Sequence, residues 1–325
     1  MKIEIPYYED NSRISNSAIG WFLKKGPRYL KDMLDGKEEG LSAKYLEKGT
    51  MIHMYLLQPE EFWDNYIILD YEKPKSPQQI AFCESFVSSS EFVHEDKLVD
   101  AYKKAYTCKG LATDAIIKKA EELYNKLLDY IEYLEKKDFK TVISFADLNM
   151  LKNIKRNIEN HKKANELLNN DITALWFNEF HINWEDTKHN VPCKSLLDRV
   201  IFDHENKKIT LIDLKTTADV YNFKHSVEEY DYYRQIAFYI LALTWYMEIE
   251  KEIDISDYDL EAYIIAIQSN GSNEVRVFNM LNEKELSDRK DLISNALSDI
   301  SYHLQTGNWD HTRNYYEEDG VEKLE

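Results

Sequence analysis

Polar and apolar positions change period along the chain. Over residues 12–60 apolar side chains recur at helical spacing, and the breaks between them punctuate three helices. Asn16 or Ser17 is placed to cap the first, which carries Ile19, Trp21 and Phe22. Gly26-Pro27 interrupts it, Pro27 opens a second helix ending near Gly36, and a third runs from about Ser42 to Leu57, before Pro59. Residues 98–170 carry two long amphipathic patterns, about 111–137 and 146–169. In the first, Ile116, Ile117, Leu123, Leu127, Tyr130, Ile131 and Leu134 share a face. No β pattern is legible there, so the stretch reads as a helical layer or insert.

From 173 the period falls to two. Trp176, Asn178, Phe180, Ile182 and Trp184 alternate with Leu175, Phe177, Glu179, His181 and Asn183, which predicts a strand. Strands over Ser195–Asp203 and Lys208–Thr216 follow, joined by the turn-rich His204-Glu205-Asn206-Lys207. A helix spans about Tyr232–Met247. Strands Tyr258–Gln268 and Glu274–Asn279 flank Ser269-Asn270-Gly271-Ser272, and a last helix, about Glu283–Gln305, ends near Gly307. Residues 310–325 are polar and acidic and read as a loose tail. This order predicts a mixed α/β sheet with helices on its faces. The parts are an N-terminal helical part (1–97), a helical insert (98–172) and a core (173–309), integrated in one domain, then the tail.

Composition narrows the class. The 325 residues are 43% hydrophobic and 31% charged with 9 Gly and 6 Pro, which excludes a disordered or low-complexity chain. Three Cys cannot build a disulfide framework and point to a reducing compartment. Met1–Ile5 lacks an apolar leader, and the longest apolar run, Ile236–Met247, is about half the ~20 residues needed to span a bilayer. A soluble, intracellular protein is expected. No Gly-rich phosphate loop is present, so the chain carries no ATP motor of its own. Cys83, Cys108 and Cys193 cannot supply a four-cysteine iron–sulfur cluster.

Chemistry concentrates in Leu196-Leu197-Asp198-Arg199-Val200 and Leu211-Ile212-Asp213-Leu214-Lys215-Thr216-Thr217. Asp213 and Lys215 are two apart on a strand and project from one face. Asp198 lies on the preceding strand across a short hairpin, so register can set the two carboxylates side by side with an ammonium next to them. Two such carboxylates repel unless a cation sits between them. Mg²⁺ takes oxygen ligands of this kind, and the Leu214 carbonyl could add a third. Lys215 would help deprotonate or orient an attacking water, or stabilise negative charge on phosphorus. The chemistry implied is metal-dependent phosphodiester hydrolysis. Thr216 and Thr217 either bond phosphate or only favour the strand.

Ile212-Asp213-Leu214-Lys215-Thr216-Thr217-Ala218-Asp219 resembles the core motif of the PD-(D/E)xK nuclease superfamily. The continuation Phe223-Lys224…Tyr230…Tyr233-Arg234-Gln235-Ile236-Ala237-Phe238-Tyr239 resembles its RecE-like branch, the exodeoxyribonuclease VIII-like enzymes of phage-type recombination. So does the upstream Lys48-Gly49-Thr50-Met51-Ile52-His53…Leu57-Gln58-Pro59. The resemblance covers most of residues 12–310 and is weakest over 84–140. It implies a restriction-endonuclease-like fold: a mixed β-sheet core flanked by helices, with N-terminal helices and a long helical insert. It makes Asp198, Asp213 and His53 metal ligands, Lys215 the catalytic lysine, and Glu179 an accessory acid. Gln235 and Tyr239, i and i+4 on one helix face, would border the active site. The implied activity is a Mg²⁺-dependent DNA exonuclease, with Mn²⁺ able to substitute, acting 5′ to 3′ on double-stranded DNA ends. The implied partners are further copies in a ring-shaped homo-oligomer and a single-strand annealing protein, with no membrane, in a bacterial or phage-infected cytoplasm. The alternatives are a repair or restriction endonuclease of the same fold, and a catalytically inactive DNA-binding module.

A net charge of −18 sits awkwardly with a DNA partner. By segment, however, residues 103–163 carry 14 Lys/Arg against 9 Asp/Glu, whereas 246–309 carry 5 against 13. Lys118, Lys119, Lys126, Lys152, Lys155, Arg156, Lys162 and Lys163 are therefore candidates for a phosphate-tracking surface, or an ordinary solvated helix face.

Overall fold

The computed structural model describes residues 5–38, 44–169 and 174–321. It resolves into two compact units, Gln58–Asn153 and the remainder of the chain. The helical unit thus takes in residues on both sides of position 98, and the rest of that stretch goes with the sheet.

The sheet-bearing unit begins with helix α1 (Asn16–Leu34). Its cap is Ser15, whose hydroxyl accepts from Ala18 N at 3.2 Å, one residue before the expected Asn16. Gly26, at φ 82°, breaks the helix where Gly26-Pro27 predicted. Helix α2 (Lys44–Leu57) follows; the expected start at Ser42 lies outside the described residues.

The helical unit contains α3 (Pro59–Asn65), β1 (Tyr66–Ile68), α4 (Pro77–Val87), α5 (His94–Ala105), α6 (Thr113–Lys126), α7 (Leu128–Lys136) and β2 (Thr141–Ile143). The expected helix over 111–137 is two helices, because Leu127 leaves helical geometry at φ −112°, ψ 15°. β1 and β2 pair in parallel, Tyr66 with Thr141 to Ile68 with Ile143. This corrects the all-helical reading of the stretch. Three residues are too few to show a two-residue period, and the β-branched Thr141-Val142-Ile143 was the available signal. Helix α8 (Phe145–Asn160) crosses from one unit to the other. The pattern over 146–169 breaks at His161, whose Nδ1 accepts from Ala164 N to cap α9 (Lys162–Leu168).

Strands β3 (Leu175–Asp186), β4 (Val191–Asp203) and β5 (Lys208–Thr217) form an antiparallel meander. Helices α10 (Phe223–Glu229) and α11 (Tyr232–Trp245) then carry the chain to β6 (Asp259–Gln268), which pairs in parallel with β5. Such a pairing requires a crossover, and these helices supply it. β7 (Val275–Asn279) completes the order β3-β4-β5-β6-β7. Helix α12 (Glu283–Thr306) is capped by Asn282 and closed by Gly307 at φ 74°. The apolar run from Ile236 is α11 itself, buried against Leu197, Leu211, Ile264, Ile293 and Leu297. No helix among the described residues is long and apolar enough to cross a membrane. Part of the expected loose tail is folded: α13 (Arg313–Glu317) sits on α12, with Arg313 Nη1 3.6 Å from Asp299. The whole is mixed α/β, a five-stranded mixed sheet flanked by helices.

Candidate metal centre

The site forms where β4 and β5 part. Their ladder runs from Asp203 opposite Lys208 to Arg199 opposite Ile212. Beyond it, the Asp198 side chain replaces the next backbone partner: its Oδ2 accepts from Leu214 N at 2.6 Å. On the other side of β4 the same position is also disturbed. The β3–β4 pairing passes from Asn178–Arg199 to Phe180–Leu197, and Glu179, opposite Asp198, stands at φ 49°. A left-handed glutamate within a strand costs of order 1–3 kcal/mol, and such strain clusters at functional sites.

From α2, His53 reaches this point, with Nδ1 3.7 Å from Asp198 Oδ2. Two features hold α2 here. Gly49, one turn earlier, lies so close to β5 that a Cβ on it would meet Thr216 Oγ1 at 3.3 Å. Lys48 donates to the Ser269 carbonyl after β6. Ligating atoms of His53, Glu179 and Asp198 lie within 4.8 Å of one another, all three half-buried.

Asp213 is deeper, fully buried, and is not one of that trio. Its Oδ2 is 2.6 Å from Lys215 Nζ and its Oδ1 accepts from Gln235 Nε2 at 3.1 Å. The same Gln235 amide donates to Tyr239 Oη at 2.8 Å, as the i, i+4 spacing on α11 allows. Beyond Lys215 lies Tyr232, its ring centroid 5.2 Å from the ammonium.

Burial and like charge set the protonation states. Burial pushes the Asp213 carboxyl up to about 6, with Asp198 adding to the rise and Lys215 opposing it. Asp198 is raised by burial, against Lys215 and the Leu214 amide. Burial, with Lys215, drives His53 down to about 4, so at neutral pH its imidazole is uncharged and able to ligate. Burial would lower Lys215, but Asp213 and Asp198 outweigh it and hold the ammonium above its ordinary value. Burial, then Asp213 and Asp198, keeps the Tyr239 phenol protonated.

One imidazole and two carboxylates with ligating atoms this close fit a divalent cation. The two carboxylates suit Mg²⁺ or Mn²⁺, whereas the imidazole is a less usual ligand for Mg²⁺, which prefers oxygen throughout. The Leu214 backbone, the further oxygen expected, hydrogen-bonds His53.

The structure thus gathers His53, Glu179, Asp198, Asp213, Lys215, Gln235 and Tyr239. Thr216 packs on Gly49, and Thr217 Oγ1 accepts from Asp219 N, closing the turn after β5. Lys118, Lys119 and Lys126 are exposed on α6 in the helical unit; Lys152, Lys155, Arg156 and Lys162 are exposed on α8 and α9, outside the cluster. Lys163 pairs with Glu166 and lies over Tyr263. Sequence reasoning passed over Tyr232, and Tyr7 and Tyr8 before α1. Tyr8 lies in the field of Glu179 and Asp198. No spacing rule marks aromatic residues so far from a motif.

No protein-family model matches this chain. No curated protein matches it. Among solved structures it is similar to one from Eubacterium rectale that is provisionally named an exonuclease. The two share 11% identity and a TM-score of 0.51, over 100% of this chain and 96% of that one. The likeness is one of fold.

Proposed function

We propose that the chain is a Mg²⁺-dependent DNA exonuclease that hydrolyses phosphodiester bonds from the ends of linear duplex. The observation that carries this is the trio His53, Glu179 and Asp198, with ligating atoms within 4.8 Å, beside the buried Asp213–Lys215 pair. The provisional name of the structural neighbour points the same way.

A divalent cation bound by the trio would neutralise the carboxylates, polarise the phosphoryl group and acidify a water. The residues supply the remainder. Asp198, fixed by Leu214 N, and Glu179, held in its strained conformation, present their oxygens without rearrangement. Gln235, braced by Tyr239, fixes Asp213, and Asp213 fixes Lys215. The raised Lys215 ammonium keeps its proton at neutral pH. It therefore serves to orient water or stabilise negative charge on phosphorus rather than to take a proton. The resemblance to the RecE-like branch extends the reading to 5′-strand digestion, a ring of like subunits and delivery of single strands to an annealing protein.

The test is linear duplex labelled at either end, against closed circular DNA, with Mg²⁺ and with EDTA. Release of labelled nucleotides from linear DNA, dependent on metal, is expected. Cutting of closed circles would make the protein an endonuclease, and inertness with Mg²⁺ and Mn²⁺ would leave a DNA-binding module.

A further inference from the structure

Two exposed tyrosines connect, each through one intervening ring, to residues at the carboxylate–lysine cluster or next to it. Toward Glu179, Tyr8 is 81% exposed. Its ring meets Tyr7 edge-on at 5.2 Å, and Tyr7 in turn meets His181, two residues past Glu179, at 5.3 Å. The turn carrying Tyr8 is firmly held. Glu9 N and Asp10 N both donate to the Pro6 carbonyl, and the buried Lys194 ammonium donates to the Tyr7 and Asp10 carbonyls at 2.6 Å each. On the lysine side, Tyr230 is 53% exposed and lies 26° from parallel to Tyr232, centroids 5.8 Å apart, with Tyr232 over Lys215. Its neighbour Asp231 is locked to Arg289 at 2.6 Å.

Open aromatic faces on rigid supports cost little order on binding and suit flat ligands. Bases within a duplex cover one another's faces, so two separated platforms fit a strand whose bases are splayed. We propose, resting on the nuclease reading above, that Tyr8 and Tyr230 grip an unpaired nucleic-acid strand on either side of the scissile phosphodiester, each stacking one base. The substrate at the cluster is then a frayed strand. Sequence preference is weak, because every base offers a π-face.

The experiment titrates the protein, with Ca²⁺ in place of Mg²⁺, with two short fluorescent strands of equal length, one normal and one abasic. The normal strand should bind at least about 25-fold more tightly, since each of the two base–aromatic stacks contributes about 5- to 150-fold. Y8A and Y230A should each weaken the normal strand and not the abasic one, with Y8W and Y230W restoring it. Melting temperatures report that these surface variants are folded. Equal affinity for the two strands, or alanine variants that keep the full preference, overturns the proposal. Cleavage by the wild type in Mg²⁺ is read separately: cleavage without base preference sinks the tyrosine grip and leaves the nuclease, whereas base preference without cleavage sinks the nuclease and leaves the grip.

Discussion

Inside Gln58–Asn153 one core cluster is Phe82, Cys83, Phe86, Leu98, Ala101, Ala120, Leu127, Tyr130, Ile131 and Leu134. Among the described residues, every side chain counted as buried and polar lies in the other unit, including Asp213, Arg199, Arg234 and Lys194. Three of these meet neutral oxygens. Arg199 donates to Asn178 and to the Asn169 carbonyl, Arg234 to Asn16, and Lys194 to two carbonyls. Around Asp213 the neighbours are ionisable: Lys215, Asp198 and His53. The helical unit is thus held by burial of apolar surface. The sheet unit carries an electrostatic conflict that apolar packing would not create, and the conflict coincides with backbone strain at Glu179. Such conflict is tolerated where a ligand resolves it.

The largest test of that contrast is Asp213→Asn. It keeps the shape and removes the charge, and cleavage should fall at least about 10³-fold with the fold intact; Lys215→Ala should lose about 10²–10³-fold with little change in metal affinity. Full activity in D213N would show the conflict to be incidental. In the helical unit, Phe82→Ala should cost about 3–5 kcal/mol through a cavity, read by hydrogen exchange in α4–α7, while metal-induced protection of β4 and β5 persists. Loss of both would end the division of labour between the units.

Smaller, but specific in sign, is pH. Asp213, raised to about 6, contributes stability that is full below the unfolded value near 3.8 and is lost as pH rises through 6. His53, lowered to about 4, contributes stability that is present above 6.5 and lost as pH falls toward 4. The two oppose each other between 4 and 6. D213N removes one side, so its stability relative to wild type should rise from pH 4 to 7 by about 2 kcal/mol, measured by denaturant titration without metal. A flat difference would mean that Asp213 is ionised throughout. The smallest effect is Glu179→Gly. Relief of the positive φ should stabilise the metal-free protein by about 1 kcal/mol and weaken metal binding by calorimetry. Destabilisation would show that Glu179 holds the strand by a contact that outweighs the strain.

The meander and its crossover were legible because their patterns are long and local. Ser195–Asp203 and Lys208–Thr216 alternate cleanly, and α11 declares itself by a continuous apolar run. Asp198, Asp213 and Lys215 were legible from strand periodicity, and His53, Glu179, Gln235 and Tyr239 from the resemblance. β1 and β2 were not, since their pairing joins residues about 75 apart and each contributes three. The cap at Ser15 moved by one residue because adjacent Ser and Asn side chains compete equally from sequence.

What the sequence determined by itself is the set of candidate acidic and basic groups and the strands that carry most of them, because side-chain direction along a strand is fixed by local geometry. What the tertiary structure decided is how those groups divide. Only the splaying of β4 from β5 lets Asp198 take the Leu214 amide and join His53 and Glu179, while α11 closes over Asp213 and commits it to Lys215 and Gln235. Burial and the distances between charges assign those roles, and neither is a property of any short stretch of chain.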